Sequence, residues 1–150
     1  MSEVRNETAR TVLLNVRNQH EKDFPLESAS FPVTPGMLVE LNADRKVIPH
    51  DAAGAIPTPI LVAVEMPIRS GADIETAFDV ADEAVPVHYA LPGDLLYMML
   101  EAGENVAIND LLESSGNGHL RVGSTAIGHA TEAVDNSAGY DGVRIRVEIL

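Results

Sequence analysis

Near its C-terminus the chain alternates without a break: Val143, Ile145, Val147 and Ile149 are apolar, and Arg144, Arg146 and Glu148 between them are charged. A period of two belongs to a β-strand and a helix needs 3.6, so the segment has no helical alternative. One face is expected to be buried and the other charged. Its expected partner is the segment 126–133, reached across the Gly-rich loop Asn136-Ser137-Ala138-Gly139-Tyr140-Asp141-Gly142. Together they make a terminal antiparallel hairpin.

Shorter stretches upstream carry the same signal. Met37, Val39 and Leu41 alternate with Leu38, Glu40 and Asn42 up to the turn Ala43-Asp44-Arg45-Lys46, and Val47-Ile48 resumes before Pro49. Val85, Val87 and Tyr89 share a side. Segments 59–65 and 95–101 are apolar on both faces, as strands covered on both sides are. The Ala/Gly/Pro-rich stretch 51–59 reads as loop. Segment 72–84 fits a helix through Ile74, Ala77, Phe78 and Ala81, or a strand through Ile74, Thr76, Phe78 and Val80; its short flanks and Thr76 favour the strand.

Residues 1–30 are mostly polar, with one apolar island at Val12-Leu13-Leu14-Asn15-Val16. An island this small does not fold alone. It is read either as a strand of the domain's own sheet or as an arm that adds a strand to a neighbour. The expected architecture is all-β: a small antiparallel barrel or sandwich over 31–150, with an extended N-terminal arm over 1–30.

A short unit recurs inside the domain. Pro35-Gly36-Met37-Leu38-Val39 returns as Pro92-Gly93-Asp94-Leu95-Leu96 and, more loosely, as Asn109-Asp110-Leu111-Leu112-Glu113. Pro fixes φ at the second position of a turn, Gly accepts positive φ at the third, and a strand starts at once. The first and third units continue alike, through the turns 42–45 and 115–118 to return strands at Val47 and Leu120.

Composition limits the chemistry. Asp and Glu number 23 against 10 Lys and Arg, a net charge of −13 that repels phosphate backbones and argues against direct nucleic-acid binding. Only Lys22 and Lys46 are lysines. An acidic, Lys-poor surface suits a high-salt environment, where screening removes self-repulsion, and equally suits an ordinary acidic protein kept soluble by charge. There is no Cys, hence no disulfide or thiolate zinc site. The longest apolar run, Leu95 to Leu100, is far short of a membrane span, and the polar N-terminus does not resemble a signal peptide. With three Phe, three Tyr and no Trp, the core is expected to be aliphatic.

Catalytic signatures are weak. His20, His50, His88, His119 and His129 share no metal-ligand spacing. Ser114-Ser115-Gly116 reads as a plain turn, not a nucleophile elbow. Asp79, Asp82, Glu83, Asp94, Glu101 and Glu104 are too many for adjacency to identify an acid/base pair. Asp135-Asn136-Ser137 with Asp141 has calcium-like oxygen density without the EF-hand pattern. No enzyme activity, cofactor or metal is expected. Arg144 and Arg146 are expected on the open face of the last strand, either protecting an edge or contacting an acidic neighbouring subunit. A rival reading gathers Tyr89, Tyr97, His88 and His129 into the pocket of a small ligand-binding or carbohydrate-modifying β-domain.

The order of the pieces resembles a known family. After the polar arm come Pro35-Gly36-Met37-Leu38-Val39-Glu40-Leu41-Asn42-Ala43-Asp44, a Pro/Ala-rich loop and Ile60-Leu61-Val62-Ala63-Val64-Glu65. Then follow Val87-His88-Tyr89-Ala90-Leu91-Pro92-Gly93-Asp94, Leu111-Leu112-Glu113-Ser114 with its Gly-rich turn, Ile127-Gly128-His129-Ala130-Thr131-Glu132, and the final strand. Over roughly residues 30–150 this is similar to the capsid decoration, or head-stabilising, proteins of tailed viruses. The resemblance implies a β-tulip-like domain, trimeric, on the outer surface of an icosahedral head, with the major capsid protein as partner and terminal arms that clamp neighbours. It implies no cofactor, catalysis, nucleic acid or membrane. On that reading Val12, Leu13, Leu14, Val16, Arg144 and Arg146 are the candidate contacts.

Overall fold

The computed structural model describes residues 11–28, 30–65, 74–79 and 84–150. In it the C-terminal alternation forms β13 (Arg144–Ile149), with Ile145, Val147 and Ile149 buried beneath the strand. β13 lies inside a six-stranded sheet, between β7 (Leu95–Met99) and β11 (Gly128–Ala130). The expected terminal hairpin is present, with Gly128 opposite Ile149 and Ala130 opposite Val147. Because β13 is an interior strand, its arginines do not protect an edge. The sheet is completed by β1 (Leu13–Asn15) beyond β7, and by β9 (Leu111–Ser114) and β10 (Leu120–Val122) beyond β11.

A second, five-stranded sheet has the order β2 (Glu21–Phe24), β6 (Val85–Tyr89), β5 (Leu61–Ala63), β3 (Leu38–Leu41), β4 (Val47–Pro49). A two-stranded ribbon pairs β8 (Asn105–Val106) with β12 (Val134–Asp135). Every ladder is antiparallel. Among the described residues there is no helix. Past β2 the chain curls to the opposite edge, where the Val47 N–H donates to Pro25 O (2.8 Å) and the Glu27 N–H to Val47 O (3.1 Å). The ladder still stops short of a closed barrel, and the architecture is that of a β-sandwich.

The two-sided apolar strands explain the layering. In β5, Leu61 and Ala63 enter one core cluster and Val62 the other; in β7, Met98 and Met99 divide likewise. One cluster lies between the two sheets, built on Leu38, Val62, Leu96, Met98, Leu112, Ile145 and Val147. The second covers the far side of the five-stranded sheet with Phe24, Val33, Val39, Val85 and Val87.

The apolar island joins the protein's own sheet. Leu13 lies opposite Leu96, the Tyr97 N–H donates to Val12 O (2.8 Å), and Val12 is fully buried. The strand expected across 72–84 is absent where it is described: residues 74–79 are turn and coil, while Val80 lies outside the described residues. Ile74 and Phe78 are both buried, one in each cluster. Their backbones serve other partners: Ile74 O accepts from Arg144, and the Phe78 N–H donates to Val33 O (2.8 Å). The apolar spacing reflects anchoring in two cores, not a sheet ladder.

The recurring unit is one turn used repeatedly. The Met37, Asp94 and Asp110 N–H groups donate to Thr34 O (3.1 Å), Leu91 O (3.0 Å) and Ala107 O (3.1 Å). The third turn residue is left-handed each time: Gly36 at φ 95°, Gly93 at 93° and Asn109 at 75°. Asn substitutes for Gly there because its short polar side chain tolerates that region.

Candidate functional site

Where the two sheets meet, five connecting segments surround a cleft of about 740 Å³. Its apolar lining is Phe31, Pro32, Met37, Ile48, Pro49 and Met99; Asp51, Glu75, Asn117, His119, Asp141 and Arg144 supply the polar groups.

Arg144 is the correction to the sequence reading. It faces outward from β13, in register with Met99, yet is only 5% exposed. The turn at 34–37 crosses this end of β7: the Met99 N–H donates to Gly36 O (2.9 Å) and the Gly36 N–H to Ala63 O (2.8 Å). A Cβ at Gly36 would lie 2.9 Å from Tyr97 O, so only glycine allows this approach. The guanidinium beneath donates from Nε (3.2 Å) and Nη2 (2.9 Å) to Pro35 O, and from Nη2 to Ile74 O. Its Nη1 is 3.6 Å from Glu75 Oε1. A charge this deep is tolerated because its fork satisfies carbonyls that have no ladder partner.

Arg146, two residues on, lies outside the covered zone. It pairs with Glu132 (3.1 Å) and sits over the Tyr97 ring at 5.5 Å. Burial, with Glu132 nearby, pushes the Tyr97 phenol up from its ordinary pKa. Leu13, Leu14 and Val16 are half-buried against the core between the sheets. Val12 and Arg144 are therefore interior groups, and the remaining candidate contacts lie at the surface.

The histidines are dispersed. His88 on β6 is fully buried, and its Nε2 is 2.8 Å from Asp94 Oδ2, which also accepts the Leu91 N–H (2.9 Å). The pair ties the five-stranded sheet to the turn that starts β7. Among the described residues, the His88 Nδ1 has no hydrogen-bond partner. His50 Nδ1 is 2.7 Å from Ser114 Oγ, a spacing that suggests a nucleophile and its base. Ser114 is fully buried and its Oγ accepts the Gly116 N–H (3.2 Å), so no substrate reaches it. The pair joins the residue that follows β4 to the end of β9. His129 faces Glu148 (3.3 Å), and His20 stacks on Tyr89 at 4.9 Å. Tyr89, Tyr97, His88 and His129 thus each have a different partner, and none of them lines the cleft.

His119 is the histidine that lines the cleft. Its Nδ1 is 3.0 Å from Asn117 Oδ1. Desolvation holds its pKa below the ordinary value of 6.5, against the pull of Glu101 and Asp141. The shift favours the uncharged ring.

Two further carboxylates have structural partners. Glu101 accepts from Asn117 Nδ2 (2.9 Å), and Glu104 accepts the Val122 N–H (2.8 Å) at the β10 edge. Asp82 and Glu83 lie outside the described residues. In the calcium-like loop, the Asn136 amide donates to Tyr140 O (2.8 Å) and accepts its N–H (3.1 Å). Among the described residues, no group of three or more His, Asp or Glu is placed to hold a metal ion. No protein-family model and no curated protein matches the chain.

Proposed function

We propose that the chain is a structural binding protein that attaches, as a homotrimer, to the outer surface of an icosahedral tailed-virus capsid, through the major capsid protein, and stabilises the shell. The observation that carries this reading is the path of the N-terminal segment, which supplies an edge strand to each sheet: β1 to one and β2 to the other. Load placed on that segment is passed to both halves of the sandwich. The His88–Asp94 and His50–Ser114 pairs tie separate strands together. The order of strands and Pro-Gly turns, with its resemblance to head-stabilising proteins, supports the same reading.

The mechanism is physical. A protein that binds only the assembled shell stabilises it by mass action, by about 2.7 kcal/mol per site at a hundredfold excess over Kd. Trimerisation turns weak single contacts into avidity. Light scattering after size exclusion is expected to give a trimer mass, and purified heads are expected to sediment with the protein. A monomer left in the supernatant overturns the reading.

A second reading has one observation in its favour. The cleft volume falls within the range of small-ligand sites, about 300–1,000 Å³. A ligand-binding or carbohydrate-modifying domain would be a monomer that takes up a small molecule without heads present.

A further inference from the structure

We propose that the cleft between the sheets docks an extended polypeptide segment of the partner, one that carries an apolar side chain next to Lys or Arg. The inference rests on the reading of the chain as a binding protein and specifies where and what it grips.

Charge selects the partner. Among the described residues, three carboxylates, Asp51, Glu75 and Asp141, line the cleft against one guanidinium, that of Arg144. That guanidinium is directed at Pro35 O and Ile74 O. Even with His119 counted as a cation, these groups leave the cleft net negative, inside a protein of net charge −13. A cationic neighbour is attracted and an anionic one is repelled.

The aromatic side chains mark the same place. Among the Phe and Tyr residues of the described chain, the two that stand exposed are Phe31 at 48% and Tyr140 at 69%. Phe31 lines the cleft, and Tyr140 immediately precedes Asp141, which also lines it. Exposed aromatics are characteristic anchors of protein interfaces, and their faces accept cations. Tyr140 itself does not line the cleft, so a small molecule held inside would leave its exposed ring uncovered, whereas an extended chain passing Asp141 would cover it. Met37 and Met99 give the lining an adaptable surface. The rim is already set: Asn136 holds both polar groups of the Tyr140 backbone, and Asn117 is held by Glu101. Little ordering is left to oppose binding.

The test uses the full chain and three short fluorescein-labelled peptides in a Gly/Ser background: Leu between two Arg, Leu between two Glu, and Gly between two Arg. Fluorescence anisotropy is expected to show the first binding at least about tenfold more tightly than the others. Phe31→Ala and Asp141→Asn, both at exposed positions, are expected to weaken it about fivefold or more with thermal midpoints unchanged. Equal binding of all three peptides, no binding of the first, or full binding by both variants overturns the inference. So does phenylethylammonium binding as tightly as the peptide, which places the cleft among small-ligand sites. Co-sedimentation with heads separates this inference from the one beneath it. If heads bind wild type and Phe31→Ala alike, the cleft assignment fails and the capsid reading stands; if the peptide binds as expected and heads do not, the capsid reading fails alone.

Discussion

The β3–β4 and β9–β10 hairpins follow one plan in different surroundings. Their loops occupy 42–46 and 115–119, and in both the first loop N–H donates to the last loop carbonyl at 2.9 Å. Asn42 Oδ1 accepts the Lys46 N–H (3.0 Å), and Asn117 Oδ1 accepts the His119 N–H (3.1 Å). Glu40 accepts the Asp51 N–H (3.1 Å) and Glu113 the Thr125 N–H (3.2 Å). The fourth loop residue is left-handed in both, Arg45 at φ 61° and Gly118 at 85°. The second loop residue differs, left-handed at Gly116 (φ 96°) and not at Ala43, and so does the neighbour of the fourth. Arg45 extends over the Phe24 ring at 5.3 Å, whereas Gly118 is pressed against the other hairpin, its N–H donating to His50 O (3.1 Å) and its carbonyl accepting the Leu38 N–H (2.8 Å). The same dihedral thus tolerates Arg where the side chain has room and requires Gly where a strand lies against it.

The largest effect is expected from breaking that contact. In Gly118→Ala the new Cβ would meet Met37 Cε at 2.4 Å, with Leu38 O and Pro49 Cβ each at 3.3 Å. Overpacking, added to left-handed strain, is expected to cost about 2–4 kcal/mol in chemical denaturation. A loss below about 1 kcal/mol would show that the hairpins are not tightly docked.

Next comes the buried bridge between them. His50→Ala or Ser114→Ala leaves one partner unsatisfied, for an expected loss of about 1–3 kcal/mol each. The double variant is expected to lose less than the sum of the two. Strict additivity would mean that the two side chains do not act as a pair.

The common plan of these hairpins was legible in sequence, because strand period, loop length and turn residues are local. So was the burial of β5 and β7 on both faces. The charged β2, Glu21-Lys22-Asp23-Phe24, has no alternation to betray it; it is a strand because β6 offers it an edge. Arg144 was misplaced for a related reason: what covers it is a turn 109 residues away. The role of Asp94 was hidden by register. Its carboxylate accepts the Leu91 N–H as that of Asp110 accepts the Ala107 N–H, both at 2.9 Å, but the recurring unit as read in sequence sets Asp110 against Gly93, one residue from the register the turns adopt. The bond of Asp94 to His88 depends on how the sheets dock. The cleft depends on it too, since its lining comes from segments far apart in the chain.

Acid separates the hairpins through their side chains. Opposite Glu40 stands Ile48, but opposite Glu113 stands Arg121, whose guanidinium holds the Glu113 carboxyl below its ordinary pKa of 4.5. A depressed carboxylate contributes stability that is present above 4.5 and lost as pH falls through the folded value. His119, where the first hairpin has Lys46, is depressed by desolvation, so its contribution is present above 6.5 and lost as pH falls through its own folded value. Two acid-side losses are expected in thermal midpoints followed against pH. His119→Gln should flatten the upper one and Arg121→Met the lower. A profile unchanged in both variants would assign the acid response to other groups.

The smallest change is expected at Arg45, the counterpart of Gly118. Glycine there relieves left-handed strain of about 1 kcal/mol or more, but it loosens the unfolded chain by about 0.4–1 kcal/mol. It also removes an exposed cation–π contact with Phe24 worth about 0.5–1 kcal/mol. These effects oppose one another, so Arg45→Gly should shift stability by less than about 1 kcal/mol in either direction. If Arg45→Gly costs as much as Gly118→Ala, the contact with Phe24 holds the first hairpin as firmly as hairpin docking holds the second. If instead Arg45→Gly stabilises well beyond that limit, the strain at φ 61° outweighs the contact with Phe24, and Arg is retained there for some use of its charge.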